Sequence, residues 1–329
     1  MIVGSYQGTT LTITALNQAT GSATPRMAEY FKHATDAMRR GDLRGARTIV
    51  DEAVEAGSDS DPIQIWELRF IRARLLEAAG QVEGALNYLN SFSPPPMELT
   101  EIRSRLMMYL ATFEGYLGHD SVADQLVSQA FTVAFGAGLD AVAGEIYLAE
   151  GFIRFRRRDY ASSDRAFRLA LEISEKAGGW YLRGHGLWGI GKNLMIQEHY
   201  LEAVPWLERA LALFEKAGEP LYVAMVWSEL GVCYLGFGND SKAMDLLRQA
   251  ERVYAEAGVI HNYQVVLANI GNVYLHRKEY FTAIDYYQRA LTLARQIKDQ
   301  VSVKKWTRNI NLAYARIRAS VDQQSPRIA

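Results

Sequence analysis

The chain has 329 residues, 36 Lys+Arg against 37 Asp+Glu, 49% apolar residues and a single cysteine. That much apolar side chain excludes a largely disordered protein, the formal charge of −1 leaves no global footprint for nucleic acid, and Cys233 alone cannot close an intrachain disulfide. No apolar run approaches the roughly 20 residues that span a bilayer, and no basic n-region with a long apolar core marks an export signal, so a cytoplasmic protein is the default expectation.

Residues 1–25 contain no charged residue and six Thr, and read as a disordered leader or linker. The alternation in Thr10-Leu11-Thr12-Ile13-Thr14 has no partner strand in sight. Helical periodicity begins at residue 26. Ala34, Ala46, Val50 and Ala53 mark a helix pair over 26–58, and Ala73, Ala85 and Leu89 mark a second over 63–93. Asp61-Pro62 and Ser93-Pro94-Pro95-Pro96 interrupt the chain around the second pair, because proline cannot continue a helix.

From about residue 98 the chain repeats every forty residues. Gly151, Gly191, Gly231 and Gly271 share that spacing, as do Ala130, Ala170, Ala210, Ala250 and Ala290, and Gly138, Gly178, Gly218 and Gly258. Ala111 takes the anchor glycine's place one repeat earlier. Each unit reads as two helices. Leu267, Ile270, Gly271 and Tyr274 fall on one helical face, and Tyr280, Ala283, Ile284, Tyr287, Ala290, Leu291 and Ala294 repeat the pattern after the polar turn Arg277-Lys278-Glu279. The Gly at 178, 218 and 258 takes the left-handed conformation that closes a helix, and the anchor glycines let the second helix approach the first. The pairs are expected at 98–138, 139–178, 179–218, 219–258 and 259–298. Trp306, Ile310, Ala313, Tyr314 and Ile317 form a last helix over 300–320 with no partner after it, followed by a polar tail at 321–329. No single pair can bury its apolar face, so each must stack on the next, and Trp180, Trp188, Trp206, Trp227 and Trp306 are expected mainly in that packing.

Several stretches imitate chemistry. Gly184-x-Gly186-x-x-Gly189 resembles a dinucleotide fingerprint, and Gly186-x4-Gly191-Lys192 resembles a phosphate loop in which Asn193 replaces the Ser/Thr. Both motifs need backbone N–H groups free at a strand-to-helix turn. Here Gly191 keeps the helical register, so those groups are already bonded, and the glycines mark a helix that is locally loose or closely approached. The six histidines lack metal-binding spacing, Cys233 sits on a packed helix, and no cofactor, metal or catalytic residue is expected. Arg154-Phe155-Arg156-Arg157-Arg158 and the C-terminal stretch, with six Lys/Arg against Asp322, read as solvated faces or as a local site for an acidic partner. The charge balance argues against nucleic acid.

Trp227-Ser228-Glu229-Leu230-Gly231-Val232-Cys233-Tyr234, continued by Ala243, Leu247 and Ala250, matches the W-x2-L-G-x2-Y opening of a tetratricopeptide repeat. Gly271, Tyr274, Ala283, Tyr287 and Ala290 give a second match, and Gly191, Ala203, Leu207 and Ala210 a third. The resemblance covers about residues 26–320, and its period of forty departs from the usual 34. Arrays of longer period occur in kinesin light chains, bacterial transcription activators and CHAT-type peptidases. The resemblance implies an all-α fold, a right-handed superhelix of seven helix pairs plus a C-terminal capping helix. It also implies a concave groove lined by first helices, in which a protein or peptide segment binds without catalysis. Carried onto this chain, the groove residues are Asn269, Asn272, Asn309, Arg308 and Lys192, with apolar lining from Met108, Tyr116, Leu148, Phe152, Phe155, Trp188 and Met195. Ala268 and Trp188 stand where a chaperone-tail carboxylate clamp wants Lys, which disfavours that role. An apolar groove also suits self-association. The alternative reading is a regulatory or sensor module of a larger activator or peptidase; the catalytic domain of the latter has no counterpart here.

Overall fold

The structure is a computed structural model and describes residues 25–39, 42–56 and 62–324. Fifteen α-helices and no strand occur among these residues. In chain order they are α1 (Pro25–Arg39) and α2 (Leu43–Ala56), α3 (Pro62–Ala78) and α4 (Val82–Asn90), α5 (Thr100–Leu117) and α6 (Asp120–Gly136), and α7 (Asp140–Arg156) and α8 (Tyr160–Ala177). They continue as α9 (Trp180–Ile196) and α10 (Tyr200–Ala217), α11 (Pro220–Gly236) and α12 (Asp240–Glu256), α13 (Ile260–His276) and α14 (Tyr280–Gln296), and α15 (Gln300–Gln324). The fold is all-α, with helices packed in consecutive pairs in the manner of an α-solenoid. The expectations for residues 1–24 and 325–329 lie outside the described residues. α15 runs four residues beyond its expected end, since nothing in Val321-Asp322-Gln323-Gln324 breaks a helix.

Pro62 opens α3 as its first residue, where the missing N–H costs nothing. The triple proline lies between α4 and α5, and the Pro95 carbonyl accepts a hydrogen bond from Arg103 Nη1 at 2.8 Å. Within a pair, the anchor glycine makes room for one large side chain sixteen residues later. A Cβ built on Gly151 would stand 2.5 Å from the Phe167 ring, one on Gly231 2.8 Å from Leu247, and one on Gly271 2.7 Å from Tyr287. The close approach is therefore mostly a ring or branched side chain seated in a socket. The small residues on the second helices, Ala130, Ala170, Ala210, Ala250 and Ala290, have no exposed surface.

Both kinds of turn end on a left-handed residue, and these recur every twenty positions. Gly118, Gly138, Arg158, Gly178, Glu198, Gly218, Gly238, Gly258, Lys278 and Lys298 all have φ between 58° and 87°. Most close their helix alike. At Arg158 the N–H donates to the Phe155 carbonyl at 2.9 Å and the Asp159 N–H to the Arg154 carbonyl at 3.0 Å, the paired bonds of a Schellman turn.

The chain divides into two compact units. One comprises the residues up to Asn193 with Ala212–Gly218; the other comprises Leu194–Leu211 with everything from Glu219 onward. The N-terminal unit is cored by aromatic rings: Phe70 lies 4.9 Å from Tyr109, and Phe152 lies 4.7 Å from Phe167 and 5.2 Å from Trp188. The C-terminal unit buries Leu247, Tyr254, Tyr287 and Trp306.

Candidate functional site

Three positions on every first helix share one face: six before the anchor, three before it, and one after it. In the N-terminal unit this face is buried on α3, α5, α7 and α9. The first position holds Glu67, Arg105, Glu145 and His185; the second holds Phe70, Met108, Leu148 and Trp188; the third holds Arg74, Thr112, Phe152 and Lys192. Arg105 sits at the centre of its charged members. Its Nε and Nη2 grip both oxygens of Glu145 at 3.0 and 3.1 Å, and its Nη1 reaches Glu67 at 3.0 Å and Glu101 at 2.9 Å. A guanidinium suits this task because its planar fork meets a carboxylate through two parallel bonds. Burial pushes the Glu67 carboxyl up to about 7 against the pull of Arg105, and raises Glu145 in the same way. Lys192 Nζ lies 4.5 Å from the Trp188 ring and 5.6 Å from that of Phe155, a cation held by aromatic faces.

In the C-terminal unit the same face opens along the chain. The first position runs from buried Met225 through half-buried Val265 to exposed Lys305. The second runs from Ser228 and Ala268, both buried, to exposed Arg308; the third from Val232 and Asn272, both half-buried, to Leu312 at 44% exposure. Asn269 Nδ2 donates to Ser228 Oγ at 3.3 Å, and Asn272 Oδ1 accepts from the Tyr287 hydroxyl at 2.7 Å. Both amides keep further hydrogen-bonding capacity. Asn309 is half-buried beside Arg308 on α15.

α15 is held in place by a buried polar junction. Gln264, with no exposed surface, accepts from Trp306 Nε1 at 3.0 Å and donates to Asp299 at 3.0 Å. Asp299 also accepts the Ser302 N–H at 3.0 Å, capping the helix. Burial acts to raise its pKa, but these hydrogen bonds and nearby His261 outweigh that and hold the carboxyl below the usual aspartate range. The junction was not foreseen. Its available signal was Gln264 following Ser104, Gly144, Gly184 and Ala224 in the same column of the forty-residue repeat.

The structure thus separates the residues expected in the groove. Asn269, Asn272, Asn309 and Arg308 lie on half-buried or exposed parts of first helices in the C-terminal unit. Phe152, Phe155, Trp188 and Lys192 are buried in the N-terminal unit, as are Met108 and Leu148, and Met195 is buried in the C-terminal one. Tyr116 is half-buried. The helical period specifies the face but not what packs on it, and here rings pack on rings. The stretch 184–193 lies inside α9, and Gly184 and Gly189 are sockets in it. A Cβ on Gly184 would meet the Phe214 ring at 2.7 Å, and one on Gly189 the Phe167 ring at 2.6 Å. Asn193 is buried and donates to Ser163 Oγ at 3.1 Å. Burial pushes the Cys233 thiol up to about 12, far from a reactive thiolate. No cluster of His, Cys, Asp or Glu among the described residues could hold a metal ion. No helix among them is long and apolar enough to cross a membrane.

Comparison with known proteins agrees with this geometry. Three tetratricopeptide-repeat family models match residues 31–92, 182–256 and 266–301. No protein of curated function matches the sequence. Among solved structures, a Rap protein complexed with Competence and Sporulation Factor is similar over 89% of this chain and 87% of its own, at 15% identity and a TM-score of 0.62. Aspartyl phosphate phosphatase F from Bacillus subtilis is similar over 91% and 84%, at 13% identity and a TM-score of 0.56. A signal transduction ATPase with numerous domains, carrying a tetratricopeptide-repeat sensor, from Pyrococcus horikoshii is similar over 97% of this chain and 54% of its own, at 12% identity and a TM-score of 0.63. At these identities the likeness is one of fold.

Proposed function

We propose that this chain, which belongs to the tetratricopeptide-repeat family, is a non-catalytic scaffold that holds a segment of a partner protein on the first-helix face of its C-terminal unit. The observation that carries this reading is the opening of that face from α11 to α15, ending on exposed Lys305, Arg308 and Leu312. Asn272 and Asn309 flank it with amides that can each donate to and accept from a peptide backbone. The Rap protein of similar fold was solved with a bound factor, which supports a partner of some kind.

Site-specific photo-crosslinking in the source cells tests the proposal. A photoreactive residue at Leu312 is expected to label a partner, and one at the exposed Gln288 on α14 is not. Changing Asn272, Arg308 and Asn309 to Ala should abolish the Leu312 adduct without altering the helical circular dichroism. Equal labelling from both positions, or an adduct indifferent to the triple change, rejects the site. A second reading, a sensor module acting on the rest of a larger signalling chain, is favoured by the match of nearly this whole chain to about half of the Pyrococcus ATPase. In that case the adduct would lie within one polypeptide.

A further inference from the structure

α15 carries Lys304, Lys305, Arg308, Arg316 and Arg318, and no Asp or Glu occurs from Gln300 to Val321. α13, the preceding first helix, contains no Asp or Glu at all. Lys304, Lys305, Arg308 and Arg316 have no carboxylate within 4 Å among the described residues, although Lys305 Nζ lies 4.9 Å from the Trp306 ring. Elsewhere several exposed or half-buried arginines are answered. Arg154 and Arg157 meet Asp124, Arg168 meets Asp164, Arg248 and Arg289 meet Glu251, and Arg277 meets Asp240.

Their arrangement is ordered. Val301, Lys305, Arg308, Leu312 and Arg316 are spaced by four, three, four and four residues, which is a single stripe along an α-helix. Val301 is 63% exposed and Leu312 44%. The stripe alternates cationic and apolar groups over about 20 Å. The Gln264–Trp306 and Gln264–Asp299 hydrogen bonds fix the helix, so the stripe is presented by a braced element. The cationic stretch is short and the whole chain carries a formal charge of −1. A polyanion recognised only through its phosphates would find little long-range attraction here. A short peptide with carboxylates flanking an apolar side chain fits both the spacing and the alternation.

Resting on the reading above that this face binds a partner segment, we infer that the segment is acidic and amphipathic. Its carboxylates pair with Lys305, Arg308 and Arg316, and one apolar residue covers Leu312. Fluorescence anisotropy with the full-length chain tests this. The probe is a synthetic labelled peptide with three Glu and one Leu at the stripe's spacing. Its controls are the same peptide with Gln for Glu and a labelled single-stranded oligonucleotide of similar length. The Glu peptide should bind at least about tenfold more tightly than the Gln peptide, and that gap should shrink at high salt. R308E/R316E should lose the Glu peptide and gain a Lys-for-Glu version of it. That rescue separates a charge effect from misfolding. Equal binding of the Glu and Gln peptides overturns the acidic class while leaving the Leu312 crosslink intact. Tighter binding of the oligonucleotide than of the Glu peptide also overturns it, in favour of a polyanion surface. Loss of the crosslink itself would instead reject the site.

Discussion

Lys278 has φ +64° in the turn between α13 and α14, with its N–H bonded to the Leu275 carbonyl at 3.1 Å. A side chain there crowds the backbone by about 1–2 kcal/mol, and glycine relieves the crowding at the cost of a more flexible unfolded chain, about 0.4–1 kcal/mol. The difference favours K278G by about 0.5–1 kcal/mol. Urea denaturation should show a higher midpoint at unchanged slope; a lower midpoint would mean that the Lys278 side chain contributes more than its strain costs. Four of these ten turns announced themselves. Gly138, Gly178, Gly218 and Gly258 stand at helix ends where glycine is the expected residue. Arg158, Glu198 and Lys278 occupy equivalent strained positions, but a charged residue in a polar turn looks like any solvated loop. The same limit applies to Trp188 and Phe152. The resemblance to tetratricopeptide repeats assigns them to the groove face, and the packing of Phe152 against Phe167 and Trp188 places them in the interior.

At the scale of elements, Arg105 on α5 binds Glu67 on α3 and Glu145 on α7, so one side chain links three successive first helices. The forty-residue spacing of Arg105 and Glu145 was present in the sequence. Glu67, Arg105 and Glu145 on separate helices carry no sign of their meeting, because a lone charge on a helix usually marks the solvated face. Taking this cluster out of water is costly, and Glu67 responds by holding its proton up to about pH 7. Its pKa is higher in the folded chain than in the unfolded one. Its stabilising contribution is therefore complete below about pH 4.5 and lost as pH rises through about 7. The slope is at most about 1.4 kcal/mol per pH unit. E67Q mimics the protonated acid and should remove this slope. Burial pushes His185 down to about 3, which acts in the opposite sense, but His185 is common to both proteins and drops out of the comparison. Urea midpoints at pH 5 and pH 7.5 should therefore fall less for E67Q than for the unaltered chain. Parallel changes in the two would place the proton elsewhere.

For the whole molecule, the forty-residue period was enough to give the helix pairs, since small residues must recur wherever helices meet. The division into two units was not legible: it falls inside α9, where the period runs unbroken. The contact pattern nonetheless has a thermodynamic consequence. Substantial contacts join helices one or two places apart in chain order, so stability in this array is a sum of local terms and neighbouring interfaces. A lesion should then be felt close to where it is made. Trp306 has 1% of its surface exposed and its indole N–H is bonded to Gln264. W306A removes a large buried ring and leaves the Gln264 carbonyl unmatched, a loss of about 3–5 kcal/mol. Hydrogen exchange followed by mass spectrometry should show faster exchange in α13, α14 and α15. α3, α5 and α7, where Phe70, Tyr109 and the Arg105 cluster lie, should exchange as before. Comparable acceleration in both groups would mean that the chain unfolds as one cooperative body. In that event a ligand on α15 would stabilise the helices of the N-terminal unit as much as its own.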